Sequence, residues 1–425
     1  MTRRIGRVVL TTLLLSGAVL IGLSIGAILL IGTASLTLNR SLALVVAGLG
    51  LTLIVWSLSR LATRLLAGRG LRRWLPVAVA GTTAGVAAIM IGGLLAPVPG
   101  YLPSTATADT RYWDLPTGSR IAYVHTPAGG QARPTPVILI HGGPGAPPAR
   151  RSPLTPAIAA AGFDVYEYHQ AGAGLSSRLP DVADYTVARH ITDLDAVLAR
   201  IGAGKVVLIG ASWGGQLIAN YLAAHPDRVA RAVVASPGTI WSPAFPGNEQ
   251  LSLAGRQDQQ AVLARHPRFT SAQVLLATAG PRATHTLLPD STMDGVYQAF
   301  VSELDMRPGC PDPLTATATQ APPAGFGFWV NAMTTRDARE IADPRPALRA
   351  VTTPMLVLRG ECDYLAWAVA REYRDLLPNA TLLPIDGAGH DIATDQPDRY
   401  RAAVTAFLLD EPLPIAPYLA DGPPT

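Results

Sequence analysis

Charge is scarce in this chain. Of its 425 residues only 15% are Asp, Glu, Lys or Arg, while 49% are hydrophobic. A soluble domain carries roughly a quarter charged residues, so the deficit points to segments that meet lipid. Cysteine is nearly absent, with only Cys310 and Cys362. Two cysteines make no recognisable metal site; they leave one disulfide or two buried thiols. No basic stripe interleaved with aromatics appears, so the net charge of +4 gives little support to a nucleic-acid partner, and none is expected. No internal repeat is visible.

Charge disappears altogether in three stretches near the amino end: between Arg7 and Arg40, between Arg40 and Arg60, and between Arg73 and Asp109. Each can hold the roughly 20 apolar residues of a spanning helix. The expected spans are Val8–Ile31, Ser41–Leu58 and Leu75–Ala96, the middle one the shortest. A cleaved signal peptide is the competing reading of the first. Its apolar run exceeds the roughly 7–15 residues usual for that region, and further apolar segments follow. No ionisable residue falls inside a span, which gives transport or proton relay little support.

Arginine placement sets the orientation. Arg3, Arg4 and Arg7 precede the first span, Arg40 lies alone in the first loop, and Arg60, Arg64, Arg69, Arg72 and Arg73 fill the second. The excess belongs on the cytoplasmic side, which places everything after Pro97 outside. Residues 1–105 therefore read as a multi-pass anchor in the cell membrane with a linker, "PVPGYLPSTATADT", whose prolines and small polar residues do not pack. Residues 106–425 read as an extracytoplasmic globular part, where a disulfide is permitted.

In that part strands alternate with helices. "SRIAYVHTP", "PVILIHGGPG", "FDVYEY", "KVVLIG", "VARAVVA", "TPMLVLRG" and "ATLLPI" are strand-like, with helical runs such as "ARHITDLDAVLARIG" between them. The alternation predicts an α/β fold with a mostly parallel, doubly wound sheet. It breaks from about 240 to 350, a stretch rich in Pro, Gln, Ala and Thr that reads as an inserted helical lid. The Pro-rich tail reads as loosely ordered.

One serine stands where "KVVLIG" gives way to the helical "QLIANYLAAHPDR". Gly210-Ala211-Ser212-Trp213-Gly214 is a G-x-S-x-G elbow, in which small neighbours allow a tight strand-to-helix turn that lifts the hydroxyl above the sheet. Serine is a weak nucleophile without a base. His390, in "GAGHD" after the last strand, is the candidate base. Asp363, in "RGECDYL", is the candidate acid that orients it, with Glu361 as its rival. Asp386 and Asp391 read as solvated loop carboxylates. Backbone N–H groups of Trp213 and of Gly143, in "HGGPG", are candidates for the oxyanion hole. His141 of the same loop reads as a packing residue. No metal or organic cofactor is needed.

Together "HGGPG", "GASWGG", "RGECD" and "GAGHD" resemble the proline iminopeptidase branch of the α/β-hydrolase fold, over about Tyr112–Asp410. The resemblance implies release of an amino-terminal residue, often proline, through an acyl-enzyme. It gives Ser212, Asp363 and His390 the triad roles and Gly143 and Trp213 the oxyanion roles. Two departures stand out. The family's D-Q-R-G-x-G-x-S loop is His169-Gln170-Ala171-Gly172-Ala173-Gly174-Leu175-Ser176 here, without the aspartate and arginine. The family's lid glutamates bind the substrate amine after a tryptophan-rich motif, which "SPAFPGNEQ" after Trp241 does not match. Glu249, Glu303 and Asp305 are candidate amine ligands, with a solvated lid carboxylate as the plainer reading of each.

The expectation is a membrane-anchored serine hydrolase, peptidase-like, acting on a small peptide, amide or ester. The alternatives are an esterase or lipase of the same fold, or a non-catalytic binding or sensor protein. Epoxide hydrolases and haloalkane dehalogenases share the fold, but resemble a sequence with aspartate where Ser212 stands.

Overall fold

The computed structural model describes the chain except for residues 1, 67–69, 97, 99, 309, 311–323 and 425. Arg69, Pro97, Pro99 and part of the expected lid lie outside the described residues. The chain forms two compact units, Met1–Val98 with Thr270–Thr292, and Pro99–Phe269 with Met293–Thr425.

The first unit is built on α1 (Thr2–Thr37), α2 (Arg40–Leu66) and α3 (Leu71–Leu95). All three are long and apolar enough to cross a membrane, with mean hydropathies of 2.5, 2.2 and 1.8. They overrun the expected spans at most ends, because helical backbone bonding does not stop where the apolar run does. On α2, Ala43, Ala47, Leu51 and Val55 are buried at a spacing of four, one stripe of the helix surface. The lid residues Thr270–Thr292 belong to this unit.

The second unit carries one sheet of eight strands in the order β1-β2-β4-β3-β5-β6-β7-β8. These are β1 (Arg111–Asp114), β2 (Arg120–Thr126), β3 (Val137–Ile140), β4 (Val165–Tyr168), β5 (Val206–Ala211), β6 (Val229–Ala235), β7 (Met355–Gly360) and β8 (Ala380–Ile385). β1 and β2 form an antiparallel pair, and β2 runs antiparallel to β4. From β4 through β8 every pairing is parallel. Parallel strands covered on both faces need continuous apolar sequence. β7 meets that need with all of Met355–Gly360 buried.

The helices are α4 (Thr155–Ala160), α5 (Val187–Ile201), α6 (Trp213–Ala224), α7 (Leu253–Arg265), α8 (Pro267–Ala279), α9 (Pro281–Leu287), α10 (Asp290–Ser302), α11 (Phe328–Asp337), α12 (Arg345–Leu348), α13 (Trp367–Leu376), α14 (Ile392–Asp395) and α15 (Pro397–Leu409). α5 starts where the Thr186 side chain accepts from the Arg189 N–H and stops at Gly202, φ 77°. α6 is buried from Trp213 through Leu222. A helix apolar on all sides belongs inside, and each of Leu217, Ile218 and Leu222 contributes about 1.5–3 kcal/mol by burial. α7 to α11 fall within residues 240–350, the stretch that its sequence assigns to an inserted lid.

Candidate active site

The strand order brings the carboxyl ends of β3, β5, β7 and β8 to one rim of the sheet, where open α/β sheets bind ligands. Ser212 follows β5 directly. Its backbone sits at φ 52° and ψ −120°, a region that costs a non-glycine residue about 1–3 kcal/mol. The glycines make the turn possible. A Cβ on Gly214 would lie 2.4 Å from the Ile140 carbonyl oxygen, and one on Gly210 would lie 2.6 Å from the Gly214 backbone. The Ser212 carbonyl accepts from the Gly215 and Gly238 N–H groups at 2.9 and 2.8 Å, which pins the turn.

β7 and β8 deliver the other two groups. The Asp363 Oδ1 accepts from His390 Nδ1 at 2.8 Å and from the Leu365 N–H at 2.9 Å. Burial alone would raise the Asp363 carboxyl, but His390, Arg359 and the Leu365 N–H bring it below its usual value. The rival Glu361 accepts from the Gly387 N–H at 2.8 Å instead. Asp386 pairs with Arg399, and Asp391 caps α14 by accepting from Thr394.

Of the two oxyanion candidates, Trp213 follows Ser212 directly and Gly143 follows Gly142, which lies beside the serine. A Cβ on Gly142 would lie 3.1 Å from the Ser212 Cβ, so the glycine loop passes directly beside the serine. Among the described residues no protein acceptor engages the N–H of Gly143 or of Trp213. The Trp213 N–H opens α6, where helix donors have no intrahelical partner.

Gln170 joins the two arms, a role that reading the loop as a departure from its family had not revealed. It accepts from the Trp213 indole N–H at 2.9 Å and donates through its amide to the His141 carbonyl at 2.8 Å. Its backbone N–H donates to His141 Nε2 at 3.0 Å. His141 is thus a buried packing residue, pushed down to about 3 by burial. Without the family's aspartate and arginine, the loop braces itself: His169 Nδ1 accepts from the Leu175 N–H at 3.0 Å, and the Ser176 hydroxyl donates to the His169 carbonyl.

Arg359 was also missed. Buried at the end of β7, its guanidinium donates to the carbonyls of Gly360, Glu361 at 3.2 Å and Leu365 at 2.7 Å, and so shapes the turn that presents Asp363. The arginine of "RGECD" was its only signal. On the other side of the turn, Cys362 forms a disulfide with Cys310. That bond ties the lid residues after α10 to the acid loop. The same lid residues reach the base, since the Met306 carbonyl accepts from the His390 N–H at 2.8 Å.

The three expected amine ligands each have other surroundings in the structure. Glu303 pairs with Arg265 at 2.9 Å and His266 at 3.1 Å. Asp305 accepts from the Arg307 N–H at 2.8 Å, and Glu249 is exposed. Among the described residues no hydrogen bond joins any of the three to Ser212, Asp363 or His390. Among the same residues no cluster of His, Cys, Asp and Glu could hold a metal ion.

Residues 135–397 match the family described as the alpha/beta hydrolase fold. The chain belongs to the α/β-hydrolase fold family. This α/β-hydrolase is similar to the proline iminopeptidase of Lactobacillus delbrueckii subsp. lactis, 24% identical over 289 residues that cover 65% of this chain and 90% of the relative. It is also similar to epoxide hydrolase A of Mycobacterium tuberculosis, 26% identical over 304 residues, covering 64% and 89%. Among solved structures, the esterase RhEst1 from Rhodococcus sp. ECU1013 aligns with a TM-score of 0.49 at 22% identity, over 72% of this chain and all of that one.

Proposed function

We propose that this α/β-hydrolase is a membrane-anchored serine hydrolase that works by acyl transfer through Ser212. The carrying observation is the strained Ser212 elbow on the same rim as the His390–Asp363 pair. His390 takes the Ser212 proton as the hydroxyl attacks a carbonyl carbon. The tetrahedral oxyanion rests on the N–H groups of Gly143 and Trp213, and His390 then protonates the leaving group. Water, activated by the same imidazole, releases the acyl group. Epoxide hydrolysis is disfavoured, because a serine stands at the elbow.

The substrates are small peptides, amides or esters on the outer side of the membrane. The arginine distribution supports that side, and so does a disulfide, which persists in oxidising compartments. Removal of an amino-terminal residue is the first reading, supported by the similarity to a proline iminopeptidase. Ester hydrolysis is the second. It is favoured by the engagement of Glu303 with Arg265 and His266, which leaves that carboxylate committed elsewhere.

A hydrolysis panel on the full chain in detergent separates the two. Cleavage of prolyl or alanyl arylamides only when the amine is unblocked supports the peptidase. Cleavage of acyl esters regardless of any amine supports the esterase. No cleavage of either class contradicts the proposal.

A further inference from the structure

His390 ends a glycine-rich loop, Gly387-Ala388-Gly389-His390, and glycine gives a backbone wide conformational freedom. Asp363 fixes the imidazole only at Nδ1. The loop itself is held from outside, and two of its anchors come from one turn of the lid. The Met306 carbonyl accepts from the His390 N–H at 2.8 Å. The next residue, Arg307, donates through Nη2 to the Gly387 carbonyl at 3.0 Å. Its Nε lies 3.4 Å from Asp395 Oδ2, and that same oxygen accepts from the Gly389 N–H at 2.7 Å. One guanidinium therefore engages the base loop twice, directly at Gly387 and through Asp395 at Gly389. A Cβ on Gly389 would run into the Met306 carbonyl oxygen and the Arg307 side chain, so the lid turn and the loop are in direct contact.

Arg307 is itself held in place. Its N–H donates to Asp305 Oδ1 at 2.8 Å, and the Asp305 N–H donates to Asp258 Oδ2 on α7 at 2.8 Å. Three residues on, Cys310 is bonded to Cys362, the residue before the acid. The Asp395 side chain is only 3% exposed, and a carboxylate so buried needs a countercharge. Burial raises its carboxyl, and the Gly389 N–H and then Arg307 oppose the rise.

We infer that Arg307 is a positioning residue for the reaction: paired with Asp395, it fixes the loop that carries His390 and so sets the position of the imidazole. The inference rests on reading His390 as the base. A misplacement of about 1 Å at a reacting group can cost roughly 10²-fold in rate. Arg307→Met would keep a long side chain, release the Gly387 carbonyl and leave Asp395 without its cation.

The test compares the full chain with Arg307→Met, Arg307→Lys and His390→Ala, all in detergent. The readouts are the rate of labelling by a fluorophosphonate, kcat and KM for p-nitrophenyl acetate per labelled site, and a thermal melt. In Arg307→Met, labelling and kcat per site should fall roughly 10- to 100-fold with KM within about twofold. Arg307→Lys keeps the charge beside Asp395 without the planar two-point reach, and should lose about 3- to 10-fold. An arginine that only stabilised the lid would, once replaced, lower the melting temperature and the number of labelled sites and leave the rates per site at the parental value. That result in Arg307→Met, or in Arg307→Lys if Arg307→Met does not fold, overturns this inference alone. Turnover and labelling retained in His390→Ala, or no labelling of the unmutated chain, overturn the reading of the Ser212 and His390 site and this inference with it.

Discussion

His390 Nδ1 lies 2.8 Å from Asp363 Oδ1, though the two residues sit on loops after different strands. The pairing leaves His390 Nε2 as the nitrogen available to a substrate or nucleophile, and Asp363 is almost wholly buried. A carboxylate in this place holds one imidazole tautomer and stabilises the imidazolium formed during turnover.

Asp363→Asn should therefore retain the fold and lose about 10³- to 10⁴-fold in kcat, because an amide that donates to Nδ1 selects the wrong tautomer. Steady-state kinetics beside a thermal melt check this. Unchanged kcat would mean that another group orients the base.

Gly214→Ala should damage the elbow itself. The added methyl would lie 2.4 Å from the Ile140 carbonyl oxygen, which is backbone and cannot swing away. Overpacking of this kind costs about 1–3 kcal/mol, visible as a lower denaturation midpoint. Labelling of Ser212 should fall with it.

Much of this site was legible because its chemistry is tied to sequence-local geometry. The elbow needs small residues two before and two after Ser212, so five consecutive residues declare it. The parallel sheet declared itself through apolar runs such as "KVVLIG". Gln170 and Arg359 were not legible in the same way. Each acts through carbonyls or an indole that only the folded chain brings near, and nothing in the residue type says which carbonyls those will be. The lid was the least legible part. Nothing in the residue type of Glu303 says that Arg265 and His266 lie beside it.

Gln170→Leu should weaken the oxyanion arms together. It leaves the buried Trp213 indole N–H and the His141 carbonyl without their present partners. An unsatisfied buried group costs about 1–3 kcal/mol. The expected outcome is a lower melting temperature and a lower kcat, and a variant that matches the parent in both would refute the bridging role.

Stability should fall in mild acid. Burial holds His141 down to about 3 and His169 and His190 down to about 4, against a usual 6.5. Their neutral forms belong to the folded state, so the unfolded chain binds more protons between about pH 6.5 and 4. Their contribution is complete above 6.5 and declines as pH falls through that window, by up to roughly 1.4 kcal/mol per pH unit for each histidine. Denaturant titrations at pH 7.5 and 5 measure it. A midpoint that does not drop at pH 5 would contradict the burial of neutral imidazoles.

Reduction of Cys310–Cys362 should loosen the lid from both the acid and the base loops. The cysteines are 52 residues apart, and a loop of that length corresponds to about 4 kcal/mol of chain-entropy stabilisation. Dithiothreitol should lower the melting temperature and the turnover rate of the parent chain and leave a Cys310→Ala, Cys362→Ala double variant unaffected.

The most direct measurement is peptide mapping by mass spectrometry after fluorophosphonate treatment of the full chain. The account predicts one adduct, on the oxygen of Ser212, lost in Ser212→Ala and strongly slowed in His390→Ala. An adduct on another residue, or hydrolysis that persists in Ser212→Ala, would contradict it.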